Sequence, residues 1–324
     1  MIKILFFGTP DFAVPTLQAL TQDSRIHVGA VVTQPDKPAG RGGALTAPPV
    51  KRMALDLGIP TFQPHSVRKE WHCLRPALEK LGPFDIGIVV AFGQILPIEV
   101  LTWPRRGCVN IHASLLPRWR GAAPIQRSIE GGDSETGVCL MQMEEGLDTG
   151  AVFAVARTPI STDDTAASMH DKLASIGAQL LVENLQSINN GTLSAVPQPL
   201  EGISYAKKIT SEECQVDWHK SAREVALKIR AFAPHPGCHT QWRNRRLKVF
   251  RAFEAQSAIP DAAGTAPGTI VRVTSDQLII QCGVGLLVIE EVQLEGKKRM
   301  SVEEFLRGNQ FVPGSSLGAI SASH

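Results

Sequence analysis

The amino-acid sequence predicts an α/β fold: a doubly wound, mostly parallel sheet with helices on both faces, followed by a second, smaller domain that is a β-barrel. Three observations carry this expectation. Across the first half, short β-rich apolar runs alternate with segments of helical periodicity, which is the pattern of a parallel sheet with helical crossovers. The 324 residues exceed the size at which one hydrophobic core usually stops growing. Late in the chain, short strand patterns separated by tight turns replace the alternation, and a barrel buries such strands without long free edges.

Residues 2–7 form the first strand and end at Gly8-Thr9-Pro10-Asp11. A helix follows, with Phe12, Val14, Leu17 and Leu20 as its apolar positions. Residues 28–32, 86–92 and 109–112 read as further strands, and 50–57 as a helix. The turn after the first strand lacks the second and third glycines of a dinucleotide fingerprint, so a nicotinamide cofactor is discounted and the sheet is Rossmann-like in architecture only. Residues 165–188 read as one amphipathic helix that stops at Asn189-Asn190-Gly191. The stretch 191–206, with two prolines, two serines and little periodicity, suits a linker. In the second domain, 207–312, residues 271–273, 278–281 and 286–292 are strands, with Cys282-Gly283-Val284-Gly285 turning between the last two. Residues 313–324, rich in Gly, Ser and Ala, are expected to be a disordered tail.

Composition narrows the class. A hydrophobic fraction of 43% and a charged fraction of 20% are ordinary for a soluble globular protein. The net charge of +2 identifies no partner, but its distribution is uneven. Residues 1–205 carry 17 Lys/Arg against 19 Asp/Glu, and residues 206–324 carry 16 against 12, so the later part is the one suited to a polyanion. The six cysteines contain no Cys-x-x-Cys pair, which points to reduced thiols. The opening apolar run is too short for a secretory signal, and Gln94, Pro97 and Glu99 interrupt the most apolar long stretch. A cytoplasmic monomer with no membrane partner is expected.

The chemistry is concentrated in Asn110-Ile111-His112-Ala113-Ser114-Leu115-Leu116-Pro117-Arg118-Trp119-Arg120-Gly121. Asn110 and His112 sit two apart at the end of a strand, so both side chains share a face at the edge where such a sheet keeps its ligand. An amide donor beside an imidazole suits acyl transfer: one group bonds an oxygen that becomes negative, and the other moves a proton or stabilises charge. Asp148, in Asp148-Thr149-Gly150, also matches the triplet of aspartic proteases. Those need two such carboxylates, and this chain has one such triplet. His235-Pro236-Gly237-Cys238-His239 holds metal-ligand residue types without a second cluster at zinc-site spacing, so no metal is expected.

The stretch Asn-x-His followed by Ser-Leu-Leu-Pro, a nearby Gly, and an Asp some 35 residues on resembles the family of 10-formyltetrahydrofolate-dependent formyltransferases. The resemblance implies that Asn110, His112 and Asp148 are the catalytic set, and that Ser114, Leu115, Leu116 and Pro117 bind folate. It also implies that Gln94, Ile95 and Leu96 line the pterin pocket, largely through backbone groups. The opening Phe6-Phe7-Gly8-Thr9-Pro10-Asp11-Phe12-Ala13, the loop Thr33-Gln34-Pro35-Asp36-Lys37-Pro38-Ala39-Gly40-Arg41-Gly42 and the run from Arg118 to Gln126 look like the branch that acts on initiator methionyl-tRNA. That likeness extends from residue 1 to about residue 310. It makes 1–190 the catalytic domain and 207–312 an OB-like barrel that contacts tRNA. Arg41 is implied to enter the acceptor stem. Family members often carry two lysines after this Arg-Gly; here Gly43-Ala44 stands near those positions, which removes charge that would meet phosphate. The basic run Arg243, Arg245, Arg246 and Lys248 is a compensating candidate. Two rivals remain: a formyltransferase acting on an amino-sugar nucleotide, against which the basic second domain argues, and a non-catalytic RNA-binding relative, against which the intact catalytic set argues.

Overall fold

The structure is a computed structural model and describes residues 1–39, 43–256 and 264–318; Arg41 lies outside the described residues. The first elements in chain order are β1 (Ile2–Gly8), α1 (Val14–Gln22), β2 (Ile26–Val32), β3 (Lys37–Ala39), β4 (Ala44–Thr46), α2 (Pro49–Asp56), β5 (Thr61–Phe62), α3 (Val67–Glu79) and β6 (Ile86–Val90). Next come α4 (Ile98–Leu101), β7 (Cys108–His112), β8 (Arg120–Gly121), α5 (Pro124–Glu130), β9 (Glu135–Gln142), β10 (Val152–Pro159), α6 (Ala166–Asn190) and β11 (Tyr205–Ala206). The remainder are α7 (Ala222–Phe232), β12 (Cys238–Trp242), β13 (Arg245–Glu254), β14 (Ile270–Val273), β15 (Leu278–Gln281), β16 (Leu286–Leu294), β17 (Met300–Ser301) and α8 (Val302–Gly308). Internal contacts separate two units. The first is Met1–Pro124, Glu135–Pro159 and His170–Ala206; the second is Ile125–Ser134, Ile160–Met169 and Lys207–His324.

The first unit is built on a seven-stranded sheet of order β10-β9-β7-β6-β1-β2-β5. The five strands from β7 to β5 pair in parallel, while β9 and β10 run antiparallel at one edge. β1 lies between β6 and β2, and its Ile4, Leu5, Phe6 and Phe7 are fully buried. That is why it reads as an unbroken apolar run: a central parallel strand is covered on both faces. β9 and β10 were not apparent from the sequence. They form an antiparallel pair without a helical crossover, and β10 is largely open to solvent. α3 was also not apparent; Pro76 lies inside it, and its first turn is capped by Ser66.

Residues 191–206, expected as a linker, are fastened to the first unit. Val196 bridges Val152, and β11 pairs in parallel with β8. Two prolines and little periodicity suggested a free connection, but Val196 pairs with β10 at the sheet's edge and β11 pairs with β8 in a separate two-stranded sheet.

The second unit holds an antiparallel sheet of order β12-β13-β16-β15-β14, with β17 paired to β16. α7 packs on β13 and β16. It starts at Ser221, whose hydroxyl accepts from the Glu224 N–H while the Glu224 carboxylate accepts from the Ser221 N–H, a reciprocal cap. Register shifts near Val249, Arg251 and Ala252 are bulges that let the ten-residue β13 bend. Residues 313–318 are ordered, unlike the tail expected there: Ser316 bridges Thr269, and Leu317 is buried. Residues 319–324 lie outside the described residues. Among the described residues no helix is long and apolar enough to cross a membrane.

Candidate active site

The parallel strands β6 and β7 end side by side, with Val89 opposite Asn110, and the candidate residues gather at those carboxyl ends. In a doubly wound sheet this edge is where backbone groups have no further strand partner and ligands bind. Asn110 and His112 project from the same face of β7 by strand periodicity. Asn110 is half-buried, and His112 is 5% exposed.

The His112 ring is held at both nitrogens. Nε2 lies 3.0 Å from the Trp119 carbonyl oxygen, and Nδ1 lies 3.7 Å from Asp148 Oδ2. The first is a hydrogen-bond distance; the second is an ion-pair separation that leaves room for the carboxylate to tighten or to share a water. The same Oδ2 accepts a 2.7 Å hydrogen bond from the Gly121 N–H, which fixes the carboxylate's direction. The imidazole therefore sits between a carbonyl and a carboxylate.

Two backbone points that set this geometry are strained. Trp119 has φ 64° and Asp148 has φ 52°, both in the left-handed region, at about 1–3 kcal/mol each for a residue with a side chain. Glycines make the surrounding turns possible. Gly121 has φ 121°, and a Cβ there would stand 2.8 Å from the Ala206 carbonyl oxygen. A Cβ at Gly150 would stand 1.8 Å from the Gln142 carbonyl oxygen.

The folate-assigned stretch follows β7 directly. Ser114 is fully buried, and its hydroxyl donates to the Arg118 carbonyl at 2.6 Å, closing the loop. Leu115 and Leu116 are half-buried and Pro117 is buried after a cis peptide bond. On the β6 side, Gln94 is engaged at both ends: its carbonyl accepts from the Val67 N–H at 2.8 Å, and its amide donates to the Pro64 carbonyl at 3.0 Å. The Gln94 side chain thus caps α3 beside Ser66. Leu96 is buried in the core cluster with Phe7, Trp71 and Phe92, whereas Ile95 is 78% exposed. Ile95, Leu96 and Pro97 line a cavity with Arg68, Trp71 and Glu145.

The basic residues of the second unit are engaged by groups of that unit. Arg243 and Asn244 take left-handed φ values of 49° and 59°, making the tight turn between β12 and β13. The Arg243 guanidinium lies 4.8 Å from the Trp242 ring centroid and donates to the Gln310 carbonyl at 3.1 Å. Arg245 donates to the Glu295 carbonyl, and Lys248 donates to the Pro236 carbonyl at 3.1 Å. Arg243, Arg245 and Arg246 are exposed and Lys248 is half-buried. Sequence reasoning missed Trp119 and Gly121 as site-builders, although both stand in the quoted run; their contributions are a backbone carbonyl and N–H, which residue type does not announce.

Comparison with known proteins gives consistent findings. The family model described as formyl transferase matches residues 2–185, and that described as formyl transferase, C-terminal domain, matches residues 208–310. A methionyl-tRNA formyltransferase of Delftia acidovorans is 48% identical over 323 residues, covering 98% of this chain and 97% of that one. A methionyl-tRNA formyltransferase of Burkholderia multivorans is 46% identical over 319 residues, covering 97% and 96%. Among solved structures, a sugar 3N-formyl transferase, WlaRD, determined in the presence of dTDP and 5-N-formyl-THF, matches with TM-score 0.66 at 22% identity, covering 92% of this chain and 99% of that one. An N-formyltransferase from Helicobacter canadensis in complex with folinic acid and dTDP-3-aminofucose matches with TM-score 0.66 at 20% identity, covering 93% and 100%. At those identities the solved structures share the fold.

Proposed function

The chain belongs to the formyl transferase family and is an enzyme that formylates methionyl-tRNA; we propose that it takes the formyl group from 10-formyltetrahydrofolate and delivers it to the α-amine of the initiator species, using Asn110, His112 and Asp148. The observation that carries the mechanism is the His112 ring held between the Trp119 carbonyl and the Asp148 carboxylate, on the strand face it shares with Asn110.

The nucleophile is the neutral methionyl amine. A free α-amine titrates near ~7.7–8.0, and the adjacent ester lowers it further, so the neutral form is available near neutral pH. Its nitrogen attacks the formyl carbon, a carbon–nitrogen bond forms, and the carbonyl electron pair moves to oxygen. Asn110 donates to that oxygen as it becomes negative. The bond from the formyl carbon to the folate nitrogen then breaks, its electron pair stays on that nitrogen, and cationic His112 supplies the proton. Asp148, opposite His112 Nδ1, orients the ring and accepts the amine proton through water. Ser114, Leu115, Leu116 and Pro117 hold the folate, with Gln94, Ile95 and Leu96 presenting backbone groups to the pterin. The scheme calls on no metal, because the neutral amine is itself the nucleophile.

We assign tRNA contact to Arg41 and, on the second unit, to Arg243, Arg245, Arg246 and Lys248, and take the enzyme to work as a cytoplasmic monomer. An amino-sugar acceptor is supported by likeness of fold alone. The test is an assay with radiolabelled formyl-folate, charged initiator tRNA and, in parallel, amino-sugar nucleotides. Label on the methionyl amine alone is the expected result. Label on the sugar alone overturns the assignment.

A further inference from the structure

Two residues of the segment 196–206, Gln198 and Ser204, bond to the residues that face the two nitrogens of His112. On one side the Gln198 amide donates to the carbonyls of Asp148 and Gly150, each at 2.8 Å, and so holds both ends of the turn that carries the strained Asp148 backbone. The Gln198 carbonyl in turn accepts from Arg120 Nε at 3.1 Å and Nη2 at 2.7 Å; Arg120 is only 7% exposed. On the other side the Ser204 hydroxyl accepts from the Trp119 N–H at 2.9 Å, and the Ser204 carbonyl accepts from the Arg120 N–H at 2.9 Å. Trp119 is the other left-handed residue, and its carbonyl is the group that meets His112 Nε2.

We propose that Gln198 and Ser204 are positioning residues for catalysis: Gln198 sets the Asp148 carboxylate against His112 Nδ1, Ser204 sets the Trp119 carbonyl against Nε2, and together they fix the ring's orientation. This rests on the assignment of His112 and Asp148 above. Neither residue needs to touch a substrate. A side-chain amide suits the Gln198 position because it has an acceptor for a guanidinium at one atom and two N–H donors for two carbonyls at the other. Glutamate keeps the first function and loses the second. With its donors removed, the turn through Asp148 relaxes from the left-handed region and the carboxylate withdraws, whatever the strength of the Arg120 contact.

The experiment uses the full chain and four proteins: wild type, Gln198→Glu, Ser204→Ala and, as a control for the catalytic assignment itself, Asp148→Asn. Steady-state formylation of methionyl-tRNA is measured across pH, with thermal melting and histidine-labelled NMR on each protein. The expected result for Gln198→Glu is a kcat reduced about tenfold or more, KM for both substrates within twofold, an altered pH profile of kcat, and a displaced His112 ring signal. Ser204→Ala, a small change to one hydrogen bond, displaces the same signal with a milder loss of kcat. A Gln198→Glu enzyme with wild-type kcat and pH profile overturns the proposal, as does a loss confined to KM. If Gln198→Glu melts below the assay temperature, Ser204→Ala decides: an unmoved His112 signal overturns it. Failure of the underlying assignment looks different, because Asp148→Asn then retains normal turnover.

Discussion

The carboxyl edge of β7 and the turn between β12 and β13 are two chemically charged regions of the molecule, and they are built in opposite ways. At β7, His112 is 5% exposed, both of its nitrogens face defined groups, and the carboxylate opposite is aimed by a backbone N–H. At the β12–β13 turn, Arg243, Arg245 and Arg246 are exposed, and Arg243 and Arg245 donate to backbone carbonyls of their own unit. A preorganised, partly dry site gains its effect from fixed geometry, so one lost group removes most of it. A screened surface charge contributes little alone and sums with its neighbours. The mechanism is therefore expected to fail sharply at the first region and gradually at the second.

The largest effect is expected at Asn110. Asn110→Ala removes the donor to the developing oxyanion and lowers kcat by about 10²–10³, with KM for tRNA within twofold. Single-turnover formylation measures it directly. Near-normal turnover breaks the comparison at its strong end, because β7 would then hold no indispensable group beyond His112.

Arg41 lies between the extremes. Its planar fork suits phosphate or base edges, and Gly43-Ala44 leaves little neighbouring charge to share the task. Arg41→Ala is expected to lower kcat/KM for initiator tRNA by about tenfold, the scale of one bidentate contact, and to narrow the preference over elongator methionyl-tRNA. Equal losses for both tRNAs would make Arg41 an unselective anchor of the same kind as the β12–β13 arginines.

A smaller effect is expected at Arg245. One of its N–H groups goes to Glu295, and the rest of the fork faces solvent. Arg245→Ala should weaken all tRNAs by one modest factor and reduce the slope of log affinity against log salt by about one. A change confined to initiator tRNA would give this edge a reading role that its exposure does not suggest.

The same contrast governs what was legible in the sequence. β1 announced itself because burial on both faces demands an unbroken apolar run, and the candidate catalytic stretch drew notice because Asn110 and His112 stand two apart at a strand end. α6 was placed within two residues at each end, since its apolar positions recur at helical spacing before Gly191. What was missed is backbone chemistry and distance. Trp119 acts through its carbonyl and Gly121 through its N–H, neither of which residue type encodes. Gln198 and Ser204 lie in a proline-containing stretch without periodicity, and 50 residues separate Gln198 from the Asp148 carbonyl it holds. β9 and β10 have no crossover helix to flag them, and α7, whose Ser221–Glu224 box was visible as letters, was left unassigned inside the expected barrel.

The smallest effect tests whether the β12–β13 edge carries an unneutralised positive field at all. Cys238, Thr240 and Trp242 point into the unit, so His239 and Gln241 lie on the outer face opposite Lys248 and Arg246. Burial lowers the pKa of His239 from its ordinary value, and the Arg246 and Lys248 charges lower it further. In the unfolded chain the histidine titrates near about 6.5. Between the depressed folded value and that point, the unfolded state binds a proton that the folded state refuses. Stability from this residue is therefore present above pH 6.5, declines as pH falls through that value, and levels off below the folded pKa. Arg246→Ala removes one repelling charge, so His239 should titrate higher and the acid loss of stability should shrink. The ring-proton shift of His239 and the melting temperature, each followed from pH 8 to pH 4 in both proteins, measure the two sides of this linkage. Identical curves would mean that solvent and salt already cancel the Arg246 charge 
at the distance of a neighbouring strand, and a phosphate group would then feel equally little of it.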